Sequence, residues 1–161
     1  MPYERMNKLV LSYEFDPSHF DKKLNRNDFG RLSLQVETER YSGRGGFWVQ
    51  WQDVVEFGEK LSAYPIDAGS PIVAQWGYEM QEGDDLILRL CIGPKNKVGD
   101  LLVSVVIADD HEPWHRLSTT FRSGYAALDS FGRDIVKLMN NEADEAVLHG
   151  YWRQFPANDA L

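Results

Sequence analysis

Apolar residues along this chain switch between two periods, and the switches mark its elements. Lys8 to Phe15 sets Leu9, Leu11 and Tyr13 against Lys8, Ser12 and Glu14, with Val10 the exception, and predicts a strand. Asp16 to Asp28 mixes charges with Pro17 and asparagines and reads as a loop. In Leu32-Ser33-Leu34-Gln35-Val36-Glu37-Thr38-Glu39 every second residue is apolar up to Thr38, the pattern of a half-buried antiparallel strand. Ser42-Gly43-Arg44-Gly45-Gly46 then reads as a glycine turn, with a short aromatic strand from Phe47 to Trp51 behind it.

At Asp53 the period lengthens. Asp53 and Glu56 have the spacing of a capping box, and Val54, Phe57, Gly58, Leu61 and Tyr64 form one helical face that Pro65 ends. Three strands are predicted next, Ile72 to Met80, Leu86 to Ile92 and Leu101 to Ala108, with Arg116 to Phe121 a seventh. The links between them are short and turn-rich, which favours antiparallel neighbours over crossover helices. A second helix starts near Ser123, with Tyr125, Leu128, Phe131, Ile135, Leu138 and Met139 on one face. Asn140-Asn141 weakens it, and Glu142 to Leu148 either continues it or forms another helix. The aromatic stretch Tyr151 to Pro156 is expected to dock on the body of the protein. Strand, turn and amphipathic helix close each half of the chain, but with no recurring spelling this is not a repeat.

The expectation is therefore one α+β domain over 1–161, with its core at about 8–140 and a helical and aromatic tail from 141. A twisted antiparallel sheet of about six to seven strands would carry two packed helices, near Asp53 to Tyr64 and Gly124 to Met139.

Composition narrows the function classes. The 161 residues are 43% hydrophobic and 12% aromatic, enough for a packed core. Seventeen basic residues against 25 acidic ones give a net charge of −8. That is the wrong sign for a general nucleic-acid binder and suits a basic partner. Cys91 is the only cysteine, so neither an intramolecular disulfide nor a thiolate zinc cluster can form, and its apolar strand makes it a small core residue. The start of the chain lacks the apolar stretch of a signal peptide, and no window reaches the ~18 apolar residues of a membrane helix. A cytoplasmic protein with no membrane partner is expected.

Two stretches invite catalytic readings. A phosphate loop needs its glycines joined to a Lys-Ser or Lys-Thr at a helix start, whereas Gly45-Gly46 leads into aromatics and Asp53 and Glu56 would repel an anion. His111-Glu112-Pro113-Trp114-His115 spells H-E-x-x-H, but the motif binds zinc only on a helix, and Pro113 denies it one. Cys91 lies in a strand, no serine occupies a nucleophile elbow, and Asp84-Asp85 and Asp109-Asp110 sit in turns where adjacent acids are solvated. No catalytic, cofactor-binding or metal-ligating residue is assigned. Of the five tryptophans, Trp48 and Trp51 are three apart and would face opposite sides of a strand, leaving one exposed. Trp114, flanked by Asp109, Asp110, Glu112 and His115, is the linear candidate for a partner-binding anchor.

Arg40-Tyr41-Ser42-Gly43-Arg44-Gly45-Gly46-Phe47-Trp48 with Asp53-Val54-Val55-Glu56-Phe57-Gly58-Glu59-Lys60-Leu61 has a familiar look, as does Thr119-Thr120-Phe121-Arg122-Ser123-Gly124-Tyr125-Ala126-Ala127-Leu128. Together they resemble a group of small bacterial proteins that includes the WapI-type immunity proteins and relatives of unknown function. The resemblance covers Leu9 to Met139 in element order, with loose aromatic and helix-start motifs. It implies a noncatalytic cytoplasmic protein that neutralises a toxin domain made by the same cell, and it carries over no site residues. The alternative from another class is a small-molecule binder or minor enzyme with a cleft between sheet and helix.

Overall fold

The computed structural model describes residues 7–78, 86–111 and 115–151. Its strands are β1 (Lys8–Phe15), β2 (Phe20–Asp21), β3 (Arg26–Asn27), β4 (Phe29–Glu37), β5 (Ser42–Gln50), β6 (Ile72–Gly77), β7 (Leu86–Pro94), β8 (Asp100–Ala108), β9 (Arg116–Gly124) and β10 (Ala146–His149). Helix α1 (Trp51–Lys60) follows β5, and α2 (Tyr125–Met139) follows β9. The architecture is α+β and antiparallel, but the strands do not form one sheet. They form two four-stranded sheets, ordered β10-β1-β4-β5 and β6-β7-β8-β9, with β2 and β3 making a small separate hairpin.

Alternation along the strands sends one face of each sheet inward. In the first sheet the registers line up Leu148, Leu9 and Val36 in one row and Ala146, Leu11 and Leu34 in the next. In the second, Ile72, Ile92, Val103 and Phe121 form a row, as do Ala74, Leu90 and Val105. All of these are buried, and they join Val54, Phe57, Leu128, Phe131 and Ile135 from the helices in one apolar cluster. β5 faces β7 and β8 across this core, while α2 lies against β1, β9 and β10.

Four sequence expectations are corrected here. The span Asp16 to Asp28 is not a plain loop, because it holds a 3-10 turn at Pro17–His19 and the β2–β3 hairpin. The glycines of Ser42 to Gly46 are not a turn; they lie inside β5, paired along its length with β4. The turn comes earlier, where Thr38 N donates to Tyr41 O at 2.8 Å. Asp53 is not an N-cap, because α1 begins at Trp51 with Gln50 as a cap that makes no side-chain hydrogen bond. Finally, Ala146 to His149 is a strand, β10, paired with Lys8 to Leu11 rather than helical. Asn140-Asn141 is what stops α2. Asn141 takes a left-handed φ of 61°, Glu142 N donates to Lys137 O at 2.8 Å, and Asn141 N donates to Leu138 O at 3.1 Å. Those two bonds satisfy the last carbonyls in a Schellman arrangement.

The tail is anchored at its first residue. Gly150 N donates to Asn7 O, Tyr151 N donates to Arg122 O, and Ser123 Oγ donates to His149 O. The chain leaving β10 therefore ties the edge of the first sheet to β9 of the second. Residues 152–161, which include Trp152 and the rest of the aromatic stretch, lie outside the described residues.

Asp53 sits in the first turn of α1, where the helix dipole favours an anion. Burial outweighs this and raises its carboxyl above the ordinary range; Glu56 adds to the rise and a hydrogen bond from Trp76 opposes it. A raised carboxyl binds its proton more tightly folded than unfolded. Stability is then fullest below the unfolded pKa and declines as pH rises through the folded one. Asp53→Asn keeps an acceptor for Trp76 and removes the charge. Urea melts should show the variant more stable than the parent near neutral pH, the gap closing at about pH 3.5, below the ordinary carboxylate range.

Candidate functional site

The face of the first sheet turned away from the helices is polar by the same alternation. Ser12, Ser33 and Gly46 form a row of small residues across β1, β4 and β5. The row on one side of it places Val10, Gln35 and Arg44 side by side, and the row on the other side places Glu14, Arg31 and Trp48. Small residues between larger neighbours leave a trough running across the strands. Its volume is about 730 Å³, and its ends are Glu145, just before β10, and the β8–β9 connection at Asp109, Asp110, His115 and Arg116.

The β8–β9 connection reaches this face because β5 is stripped of side chains on both sides. On the inner face, a Cβ at Gly43 would lie 2.5 Å from Leu117 Cδ2, and one at Gly45 would lie 2.6 Å from Ile107 Cγ2. The glycines let the ends of β8 and β9 run close beside β5. On the outer face, a Cβ at Gly46 would lie 3.1 Å from Arg31 Nε. Arg31 uses that bare spot to cross β5, and its Nη1 meets Asp110 Oδ2 at 3.2 Å. Tyr78 Oη donates to the Asp110 carbonyl at 2.7 Å, His111 N donates to Asp109 Oδ1 at 2.9 Å, and Asp109 N donates to His115 O at 3.0 Å. The described part of the connection is therefore held by Arg31 from β4, by Tyr78 just after β6 and by two hydrogen bonds of its own.

Of the sequence candidates, the structure brings Asp109, Asp110 and His115 together at one end of the trough. Glu112 and Trp114, with Pro113, lie outside the described residues. His111 and His115 bracket a link between two strands. Sequence reading missed Arg31, Arg44, Ser12, Ser33 and Glu145. The available signal was the outward half of each alternating strand, in particular Arg31-x-Ser33-x-Gln35 and Arg44-x-Gly46-x-Trp48. Trp48 is the exposed member of its pair, at 46%, and stacks on Phe29 with ring centroids 6.0 Å apart.

A second cavity, of about 460 Å³, lies where the β2–β3 hairpin meets the end of α2. The Arg26 guanidinium lies 3.8 Å from the Trp51 ring centroid and 5.3 Å from that of Phe15, and Nη2 donates to Met139 O at 3.5 Å. A cation placed between two rings and against the carbonyl end of a helix is a structural clasp. Burial also pushes the nearby Tyr13 phenol up; Arg26 opposes the rise, and Asp28 and Asp53 add to it. Its hydroxyl donates to Val49 O at 2.7 Å. Arg26→Ala should cost about 2 kcal/mol in chemical denaturation, through lost stacking and a lost helix-end cation. A loss below ~0.5 kcal/mol would show that the clasp is idle.

No helix among the described residues is long and apolar enough to cross a membrane. No protein-family model, curated protein or solved structure matches the chain.

Proposed function

We propose that this is a noncatalytic cytoplasmic binding protein whose docking surface is the β8–β9 connection and the adjoining trough, and that its partner is a basic protein, most specifically a toxin domain made by the same cell. The observation that carries the reading is the pinned connection. Arg31 and Tyr78 fix Asp110, and with it the start of the connection that carries Asp109, at the rim of an open groove, so the connection is held in place before any partner arrives. Holding it in advance lowers the ordering cost of association. The net charge of −8 supports the choice of a basic partner, since it would steer one toward the domain.

The test is co-expression with each toxin-type domain encoded by the same genome. Growth should be rescued by the intact protein. Failure of rescue, together with no measurable complex between the purified proteins, would overturn the reading. In a complex, raising salt from about 0.05 to 0.5 M should slow association by roughly tenfold or more, with a smaller effect on dissociation. Trp114→Ala should weaken a complex by about 2 kcal/mol or more if this residue anchors it. Unchanged affinity in a folded variant would remove Trp114 from the interface.

A further inference from the structure

Six charged side chains line the trough, and the structure sorts them by what they already do. Arg31 is spent on Asp110, Arg116 Nη1 donates to Leu86 O at 2.8 Å, and Asp109 accepts from His111 N. Arg44 and Glu145 remain. Both are exposed, and neither has an ion-pair or hydrogen-bond partner among the described residues. They stand at opposite ends of the trough. Arg44 is on β5, and Glu145 precedes β10, with β1 and β4 between them. Three strand spacings of about 4.8 Å put their backbones roughly 14 Å apart, too far for the two side chains to satisfy each other well. The floor between them offers the hydroxyls of Ser12 and Ser33.

A free cation, a hydrogen-bonding floor and a free anion in that order match one kind of ligand. We propose that the trough binds a peptide-like zwitterion about three residues long. Its carboxylate would lie on Arg44, its amide groups over Ser12 and Ser33, and its ammonium on Glu145. An extended tripeptide spans about 10 Å, which leaves each side chain the few ångströms it needs to reach its end of the ligand. With Arg31 and Asp110 neutralising each other, a wholly anionic ligand would meet Glu145 and Asp109, and a wholly cationic one would meet Arg44 and Arg116. The mixed ligand avoids both conflicts. This inference concerns the free protein and does not require a toxin partner.

The experiment is a titration of the purified protein with trialanine, followed by amide chemical shifts. Three companions accompany it: N-acetyl-trialanine, trialanine amide, and the peptide blocked at both ends. Saturable shifts at Ser12, Ser33 and Arg44 are expected with trialanine. Blocking either end should weaken binding about tenfold, and blocking both should weaken it further. Arg44→Gln should abolish the preference for a free carboxylate while keeping that for a free ammonium, and Glu145→Gln should do the reverse. Both residues are exposed, so the variants are expected to fold, and their spectra report it. No shifts with trialanine at about 10 mM, or equal binding of free and blocked peptides, would overturn the proposal. Neither result bears on rescue from a toxin, which is read by growth.

Discussion

Phe131→Ala should lower the stability of this protein by about 3–5 kcal/mol, the usual cost of emptying a fully buried aromatic site. Phe131 has no exposed surface and meets Phe57 edge to face, with centroids 6.3 Å apart and rings at 73°. It is one of the points where α2 meets α1, beside the close approach of Gly58 to Ile135, and Phe57, Leu128 and Ile135 belong to the same cluster. Two helices held to two sheets cannot close over such a void without shifting, so the cavity persists and its lining loses contacts. For a domain of this size the loss corresponds to a fall of roughly 6–20 °C in Tm. Val136 supplies the control, since it lies on the same helix but is 54% exposed. Val136→Ala should change stability by less than about 0.5 kcal/mol. Urea melts of both variants make the comparison, and a cost below ~1 kcal/mol for Phe131→Ala would contradict the helix packing described above.

The helix carrying Phe131 was legible in the sequence because its period runs for four turns, long enough to stand out against the strands. α1 was legible in its apolar face but not in its start. Asp53 and Glu56 have the right spacing for a capping box, yet β5 runs directly into the helix and Trp51 already belongs to it. The strands β1, β4, β7, β8 and β9 could be found from local alternation or apolar runs. Which sheet each joins could not, because β5 is an edge strand that faces β7 and β8 instead of pairing with them. β10 escaped for a related reason. Ala-Val-Leu-His is too short to show a period, and its partner β1 lies at the other end of the chain.

The candidate site divides in the same way. Asp109, Asp110 and His115 are neighbours in sequence and were visible as an acidic connection. Arg31 and Asp110 are 79 positions apart, and only the route over Gly46 joins them. Arg44 and Glu145 become a pair of opposed free charges only once β10 closes the far side of the sheet. Alternation shows which residues face outward; it does not show that three of them line up as a trough across strands. That row depends on the pairing registers, and registers are tertiary facts.

The glycines of β5 are the sharpest case, because local rules assign them to a turn while packing demands them in a strand. Gly45→Val should therefore cost about 3 kcal/mol, the upper part of the range for overpacking a core. The new Cβ would lie 2.6 Å from Ile107 Cγ2 and 3.2 Å from Ala108 O. Ile107 is 4% exposed and branches at its own Cβ, so Cγ2 cannot swing aside as the end of a long side chain would. The backbone at Ala108 would have to move, and with it the start of the connection that carries Asp109 and Asp110. Gly69→Ala is the control, since its Cβ would touch only Asp67 Oδ1, at 3.6 Å, and it should cost less than about 0.5 kcal/mol. The cause can be isolated by pairing Gly45→Val with Ile107→Ala, which removes the obstructing atom. If the collision is the mechanism, the double variant should lose less stability than the sum of the single ones, by 1 kcal/mol or more on the order of couplings between touching residues. Simple additivity would mean that Gly45 serves the strand's backbone rather than the approach of β8, and the account of how the groove acquires its acidic wall would fail with it.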